Sequence, residues 1–311
     1  MGKNKKKKMK FQHRKSSVKT VSNTPGILDE RGKLCEMPSS DYLTITPYWD
    51  IMPEKLLYNE KTLKQVSDIA NILERENFNK VVLRASFKRP NLPFIVLLHG
   101  PSGTGKTALV REICRRTGRH MLEIKVEQLR NENVGKDEKA ARIVFEDYMC
   151  ALHALGEFPI MFFDECESVL CKRMPTDSHN PGLVNSFNNT VTMWLKEFQN
   201  FHGILFLATN RKEDIDDAFS RRVLFQIDVD HPTKETQAEI WKHLFPFVLT
   251  SEQCQSLAEE MDFTGGQIKQ VQTKADIYQI LYGKLDYETI REVCESNGKT
   301  TSGRKTIGFK C

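Results

Sequence analysis

Apolar residues recur along this chain in two rhythms, and the change from one to the other divides it. Between residues 94 and 229, short apolar runs alternate with stretches of helical spacing. Phe94–Leu98, Met121–Val126, Pro159–Phe163, Ile204–Ala208 and Val223–Val229 read as five strands, with helices over 107–117 and 137–154. Runs that are apolar throughout predict strands covered on both faces, and strands separated by helices predict a mostly parallel sheet. After His231-Pro232 the strands stop. Residues 233–245, 251–261, 265–282 and 286–296 each read as a helix, with Pro232 and Pro246 as breaks. Thr250 and Gln253 form a capping box, and Asn297-Gly298 is a stop signal. Ahead of the first strand, Leu63, Val66, Ile69, Ala70, Ile72 and Leu73 fall at amphipathic helix spacing, and order is expected to begin near Tyr48-Trp49. The expected organisation is a disordered tail over 1–45, a three-layer α/β domain over 46–232, a small all-helical domain over 233–296 and a flexible tail over 297–311.

Charge refines this division. The chain of 311 residues has 46 Lys and Arg against 41 Asp and Glu, a net charge of +5. Nine of those bases fall in residues 1–20 with no acid among them, so the rest of the chain is mildly acidic. The basic character belongs to the tail, where it could contact nucleic acid or simply be solvated, and it does not describe the body. No apolar run approaches the ~18–20 residues of a membrane helix, and no apolar stretch follows the basic start as in a secretory signal. No membrane partner is therefore expected. Eight cysteines without C-x-x-C pairing read as free thiols in a reducing compartment, which points to the cytoplasm. Cys166 and Cys171, expected on a helix after the third strand, read as small buried hydrophobes rather than a zinc site.

Five short segments carry candidate chemistry. Gly100-Pro101-Ser102-Gly103-Thr104-Gly105-Lys106-Thr107 fits G-x-x-x-x-G-K-[ST] and lies between a predicted strand and a predicted helix. Its glycines permit a tight loop whose N–H groups converge on an anion at a helix N-terminus. Lys106 can neutralise phosphate charge and the Thr107 hydroxyl can ligate Mg2+. Phe162-Phe163-Asp164-Glu165 is an apolar strand ending in two carboxylates, suited to a metal's water shell at Asp164 and a general base at Glu165. The fourth strand ends in Thr209-Asn210, which offers a side-chain amide. The segment 214–222 ends in the adjacent pair Arg221 and Arg222, and Gly265-Gly266 opens a helix of the second domain, where the glycines could relieve packing or let backbone approach a flat base closely.

Together and in this order, these segments resemble an AAA+ ATPase of the AAA subfamily proper, and the whole is similar to bacterial stand-alone single-module members. The resemblance spans about residues 46–295. It implies a P-loop NTPase sheet of order 5-1-4-3-2 followed by a helical lid. ATP and Mg2+ would be bound by residues 100–107 and Ala108, with Thr107 and Asp164 at the metal and Gly265 and Gly266 near the adenine. Glu165 and Asn210 would act in hydrolysis. The active form implied is a homo-oligomeric ring, usually hexameric, with Arg221 and Arg222 reaching a neighbour's γ-phosphate. Three positions depart from the pattern, one of them Lys136, which stands where the family's usual acid follows the pore-loop glycine. The pore-loop aromatic is replaced by Asn133 in Asn133-Val134-Gly135-Lys136, which argues against processive threading, and the nearest sensor-2 match is Lys269 rather than Arg. A protein client is the first reading, a nucleic-acid complex held through the tail the second, and a nucleotide-switch adaptor with little turnover the third.

Overall fold

The structure, a computed structural model, describes residues 41–88, 93–129, 136–174, 181–283 and 285–302. A six-stranded sheet forms its centre: β1 (Leu43–Thr46), β2 (Phe94–His99), β3 (Met121–Ile124), β4 (Ile160–Phe163), β5 (Ile204–Thr209) and β6 (Phe225–Asp228). Their spatial order is β1-β3-β4-β5-β2-β6. The five strands predicted from sequence stand in the order 5-1-4-3-2, all parallel. The sixth was not anticipated: β1 pairs antiparallel with β3 from Leu43↔Ile124 to Thr46↔Met121. The boundary drawn after residue 45 therefore falls inside a strand. β1 extends the sheet by one edge, and its four residues, Leu43 to Thr46, are too few for their alternation to be told from loop.

The two faces of the sheet explain its composition. Phe94, Val96 and Leu98 of β2 enter one core, with α1 (Glu60–Leu73), α2 (Arg75–Lys88) and α3 (Lys106–Thr117). Ile95 and Leu97 enter the opposite core, with α5 (Lys136–Leu155) and α6 (Pro181–Asn200); the short α4 (Val126–Leu129) lies just before α5. Side chains alternate across a strand, so a strand buried twice must be apolar at every position. Each fully buried Phe, Trp or Leu contributes about 1.5–3 kcal/mol of transfer free energy. Arg119 is buried too, and it ties α1 to the start of β4 by donating to Leu73 O (2.9 Å) and Phe158 O (2.6 Å).

Beyond the short α7 (Asp217–Ser220) and β6, four helices form a separate core around Trp241: α8 (Lys234–Leu244), α9 (Ser251–Glu260), α10 (Gly265–Tyr282) and α11 (Tyr287–Ser302). The capping box predicted at Thr250 is present, and Thr264 with Gln267 forms a second that starts α10. α11 runs past Asn297-Gly298, so the expected stop and the 296/297 boundary fall within a helix. The cysteine expectation also changes. Cys166 opens a one-turn 3-10 helix, and Cys171 makes an isolated bridge to Ile215, so no helix carries both. Among the described residues, no helix is long and apolar enough to cross a membrane. The first forty residues, the departing loop at Asn133–Gly135 and the segment after Ser302 lie outside the described residues.

Candidate active site

The loop between β2 and α3 is shaped by its glycines. Gly100 has φ +149°, and a Cβ there would lie 2.2 Å from the Val229 carbonyl oxygen. Gly103 and Gly105 also have positive φ, and their missing side chains leave room for Thr264 and Tyr58. The loop is tied internally by Thr104, whose hydroxyl donates to Pro101 O at 2.9 Å. It is tied externally by the lid, since Gly266 N–H donates to Gly103 O at 2.8 Å. A Cβ on Gly266 would come within 3.0 Å of Gly103 backbone. The absent side chain that the sequence suggested for approach to a base thus admits the loop itself.

Lys106 begins α3 and is only 7% exposed. Its Nζ donates to Gly100 O (2.8 Å), Pro101 O (2.8 Å) and Asn210 Oδ1 (2.7 Å). Burial holds its pKa below the usual lysine value, opposed by the nearby carboxylates of Asp164 and Glu167. One residue on, the Thr107 hydroxyl donates to Asp164 Oδ2 at 2.6 Å. Asp164 also accepts from the Glu165 N–H through Oδ1 at 3.0 Å. Glu165 is the one non-glycine among the described residues with positive φ, +48°. The chain turns sharply there from β4 into the 3-10 helix, leaving the Glu165 side chain exposed. Glu167, which sequence patterns did not single out, accepts from the Asn210 N–H at 3.3 Å and so helps fix the end of β5.

Lys106, Thr107, Asp164, Glu165 and Asn210 share one cavity of about 780 Å³, within the ~300–1,000 Å³ of small-molecule sites. Ser102 to Ala108 line it with Asp164, Glu165 and Asn210, and Gly265, Gly266 and Lys269 enter from the lid. Gly100 and Pro101 present carbonyls to Lys106 instead. Lys269 does reach the cavity, paired with Glu54 at 2.7 Å. The two arginines do not. Arg221 is exposed and its Nε donates to Asp217 O at 3.3 Å, while the half-buried Arg222 donates to Ala218 O; neither lines the cavity. Nothing in the sequence pointed to the segment 51–58, which lines the cavity with residues that include Ile51, Leu57 and Tyr58. That segment has no periodicity, and its contacts join residues far apart in the chain.

Residues 96–232 match the family model described as ATPase family associated with various cellular activities (AAA). The chain carries an AAA ATPase domain. Among its relatives, the proteasome-activating nucleotidase of Methanococcus vannielii is 29% identical over 255 residues, 76% of this chain and 60% of that protein. Spastin of Dictyostelium discoideum is 31% identical over 173 residues, 53% of this chain and 25% of spastin. The chain thus spans less than two thirds of these relatives. Among solved structures, the FIGL-1 AAA domain in complex with ADP superposes with a TM-score of 0.59 at 21% identity, covering 83% of this chain and 87% of that one. A chain of the E. coli MS115-1 HORMA:CdnC:Trip13 complex gives 0.63 at 15% identity, covering 82% and 94%. At these identities the likeness is one of fold, and it extends through the lid as well as the AAA domain.

Proposed function

We propose that this AAA domain hydrolyses ATP with Mg2+ in a homo-oligomeric ring, and that the cycle remodels a protein partner. The observation that carries the reading is the meeting of Lys106, Thr107, Asp164, Glu165 and Asn210 on the floor of one cavity roofed by the lid. The ion fits the donors. The Thr107 hydroxyl and the Asp164 carboxylate, already 2.6 Å apart, form the hard-oxygen pair that suits Mg2+. When bound, the ion would withdraw charge from phosphate oxygens.

The chain's own groups have separable tasks. Lys106 brings an ammonium to the phosphate loop, and Asn210 holds it there through Oδ1. The first N–H groups of α3 lack helical partners and face the loop, a favourable place for anionic oxygen. The Glu165 carboxylate, exposed at the cavity, is positioned to take the proton of an attacking water. Arg221 and Arg222 lie off the cavity, which supports a role in completing a neighbour's site. The protein-client reading draws on the related proteasome-activating nucleotidase. The basic run in residues 1–20 favours a nucleic-acid complex as the second reading, and the free-thiol pattern supports a cytoplasmic location.

Glu165→Gln tests the mechanism. It should keep ATP affinity within about threefold while lowering turnover by at least ~100-fold, the usual contribution of a positioned base. Undiminished turnover in that variant overturns the assignment. The client follows from capture by the ATP-loaded Glu165→Gln protein with and without nuclease, since a captured partner that nuclease removes supports the second reading.

A further inference from the structure

Three consecutive residues ahead of α1 each touch a different part of the molecule. Leu57 packs against the lid core. Tyr58 packs against the core under α3, and its hydroxyl donates to Gly105 O at 2.7 Å. Asn59 spans the connection between β6 and α8: its Nδ2 donates to His231 O (3.1 Å), and its Oδ1 accepts from the Thr233 N–H (3.0 Å) and the Thr236 hydroxyl (3.2 Å). Residues 57–59 thus bind lid, phosphate loop and interdomain hinge within a span of about 10 Å of chain.

The bond to Gly105 is placed where it controls binding. Gly105 O already accepts from Leu109 N–H at 2.9 Å as the first helical bond of α3. Tyr58 occupies its second lone pair, and burial keeps the phenol protonated and a donor. A trans peptide points its C=O and the following N–H in opposite directions. Fixing the Gly105 carbonyl therefore fixes the Lys106 N–H on the other side of the same peptide plane. Gly105 cannot be replaced without conflict, because a Cβ there would lie 2.7 Å from the Tyr58 hydroxyl. The lid touches this loop a second time, through Gly266 N–H to Gly103 O. Rotation of the lid about 231–236 has to move residues 57–59, and they cannot move without disturbing the loop.

We propose that Leu57-Tyr58-Asn59 is a strap that couples the angle of the lid to the shape of the phosphate loop, with Tyr58 as its positioning residue. This deepens the ATPase reading and rests on it. The strap transmits in both directions: loop geometry set by terminal phosphates fixes the lid, and a lid displaced by a neighbour loosens the loop.

The test compares ATP with AMP on the full chain, because AMP lacks the phosphates the loop would hold. Tyr58→Phe keeps the ring and removes only the hydroxyl. It should weaken ATP binding roughly fivefold, the worth of one net hydrogen bond, and leave AMP within about twofold. Asn59→Ala does not touch the loop, yet it should give the same split, and the double variant should be no weaker for ATP than about twofold beyond either single one. Thr236→Val, which removes one donor to Asn59, gives a milder form of the split if Asn59→Ala does not fold. Equal losses for ATP and AMP, or losses that multiply to roughly 25-fold in the double variant, overturn the strap. Wild-type protein that binds no ATP sinks the ATPase reading and the strap with it. Wild-type protein that binds ATP beside an indistinguishable Tyr58→Phe sinks the strap alone.

Discussion

Lys106 is an ammonium held against its own preference. It is buried under a loop, and its partners Gly100 O, Pro101 O and Asn210 Oδ1 are all uncharged, so desolvation outweighs the attraction of Asp164 and Glu167. The folded pKa lies below the unfolded value of 10.5, and the sign of the consequence follows. Between the two values the unfolded chain binds the proton and the folded chain does not, so stability rises with pH there. Below the folded pKa the destabilisation is present in full. We predict that wild-type protein gains thermal stability relative to Lys106→Met as pH climbs toward 10.5, measured by melting both without nucleotide. A difference independent of pH would mean that the ammonium is not strained by burial. Lys106→Met should also lose ATP binding, as expected where stability has been given up for a charge that the ligand needs.

At the scale of elements, what sequence could show depended on whether a local rule was at work. The five parallel strands were legible because burial on both faces forces apolar runs, and the phosphate loop because its backbone dictates glycine at fixed spacing. α6 escaped notice although Val184, Val191, Trp194, Leu195 and Phe198 recur on one face, since the helix starts at Pro-Gly and runs through poor formers such as Asn and Thr. Among the described side chains of α2, Phe78 is buried and Val82 packs beside it, while Val81 and Leu83 are exposed, so its apolar face is weakly marked. Tyr58, Asn59 and Glu167 were invisible for a different reason, because each acts on a residue between 43 and 174 positions away. The glycines allow a direct comparison. Gly100 and Gly283 both have positive φ, but a Cβ at Gly100 meets the Val229 carbonyl while one at Gly283 meets nothing within 4 Å. Gly283→Ala should cost about 1 kcal/mol, the backbone penalty alone. Gly100→Ala should cost at least ~3 kcal/mol, since rigid backbone of the β6 edge has to shift. Chemical denaturation of the two variants would measure the difference, and equal costs would show that the sheet edge yields.

At the scale of the whole molecule, the cation that the lid brings to the cavity, Lys269, is paired with Glu54 at 2.7 Å, and the proposed ring calls for a second cation supplied by a neighbour. Arg221 and Arg222 are the candidates, and they sit beyond β5 at the end of α7, off the cavity, with bonds to backbone carbonyls of their own helix. A guanidinium that completes a neighbour's site makes hydrolysis a property of the assembly, and such an arginine contributes roughly 10³–10⁵ in rate. Mixing experiments separate this from a structural role. Arg221→Ala subunits carry an intact Glu165 but no finger, and Glu165→Gln subunits carry the finger but no base. Each alone should be inactive. Mixed, a junction in which a Glu165→Gln subunit presents Arg221 to an Arg221→Ala subunit has both groups, so turnover should reappear and peak at intermediate mixing ratios. An arginine acting within its own subunit leaves every mixture inactive, because no subunit holds both groups. Mixing wild-type with Glu165→Gln subunits supplies the control for subunit exchange, since dilution by the inactive partner alone should only lower the rate.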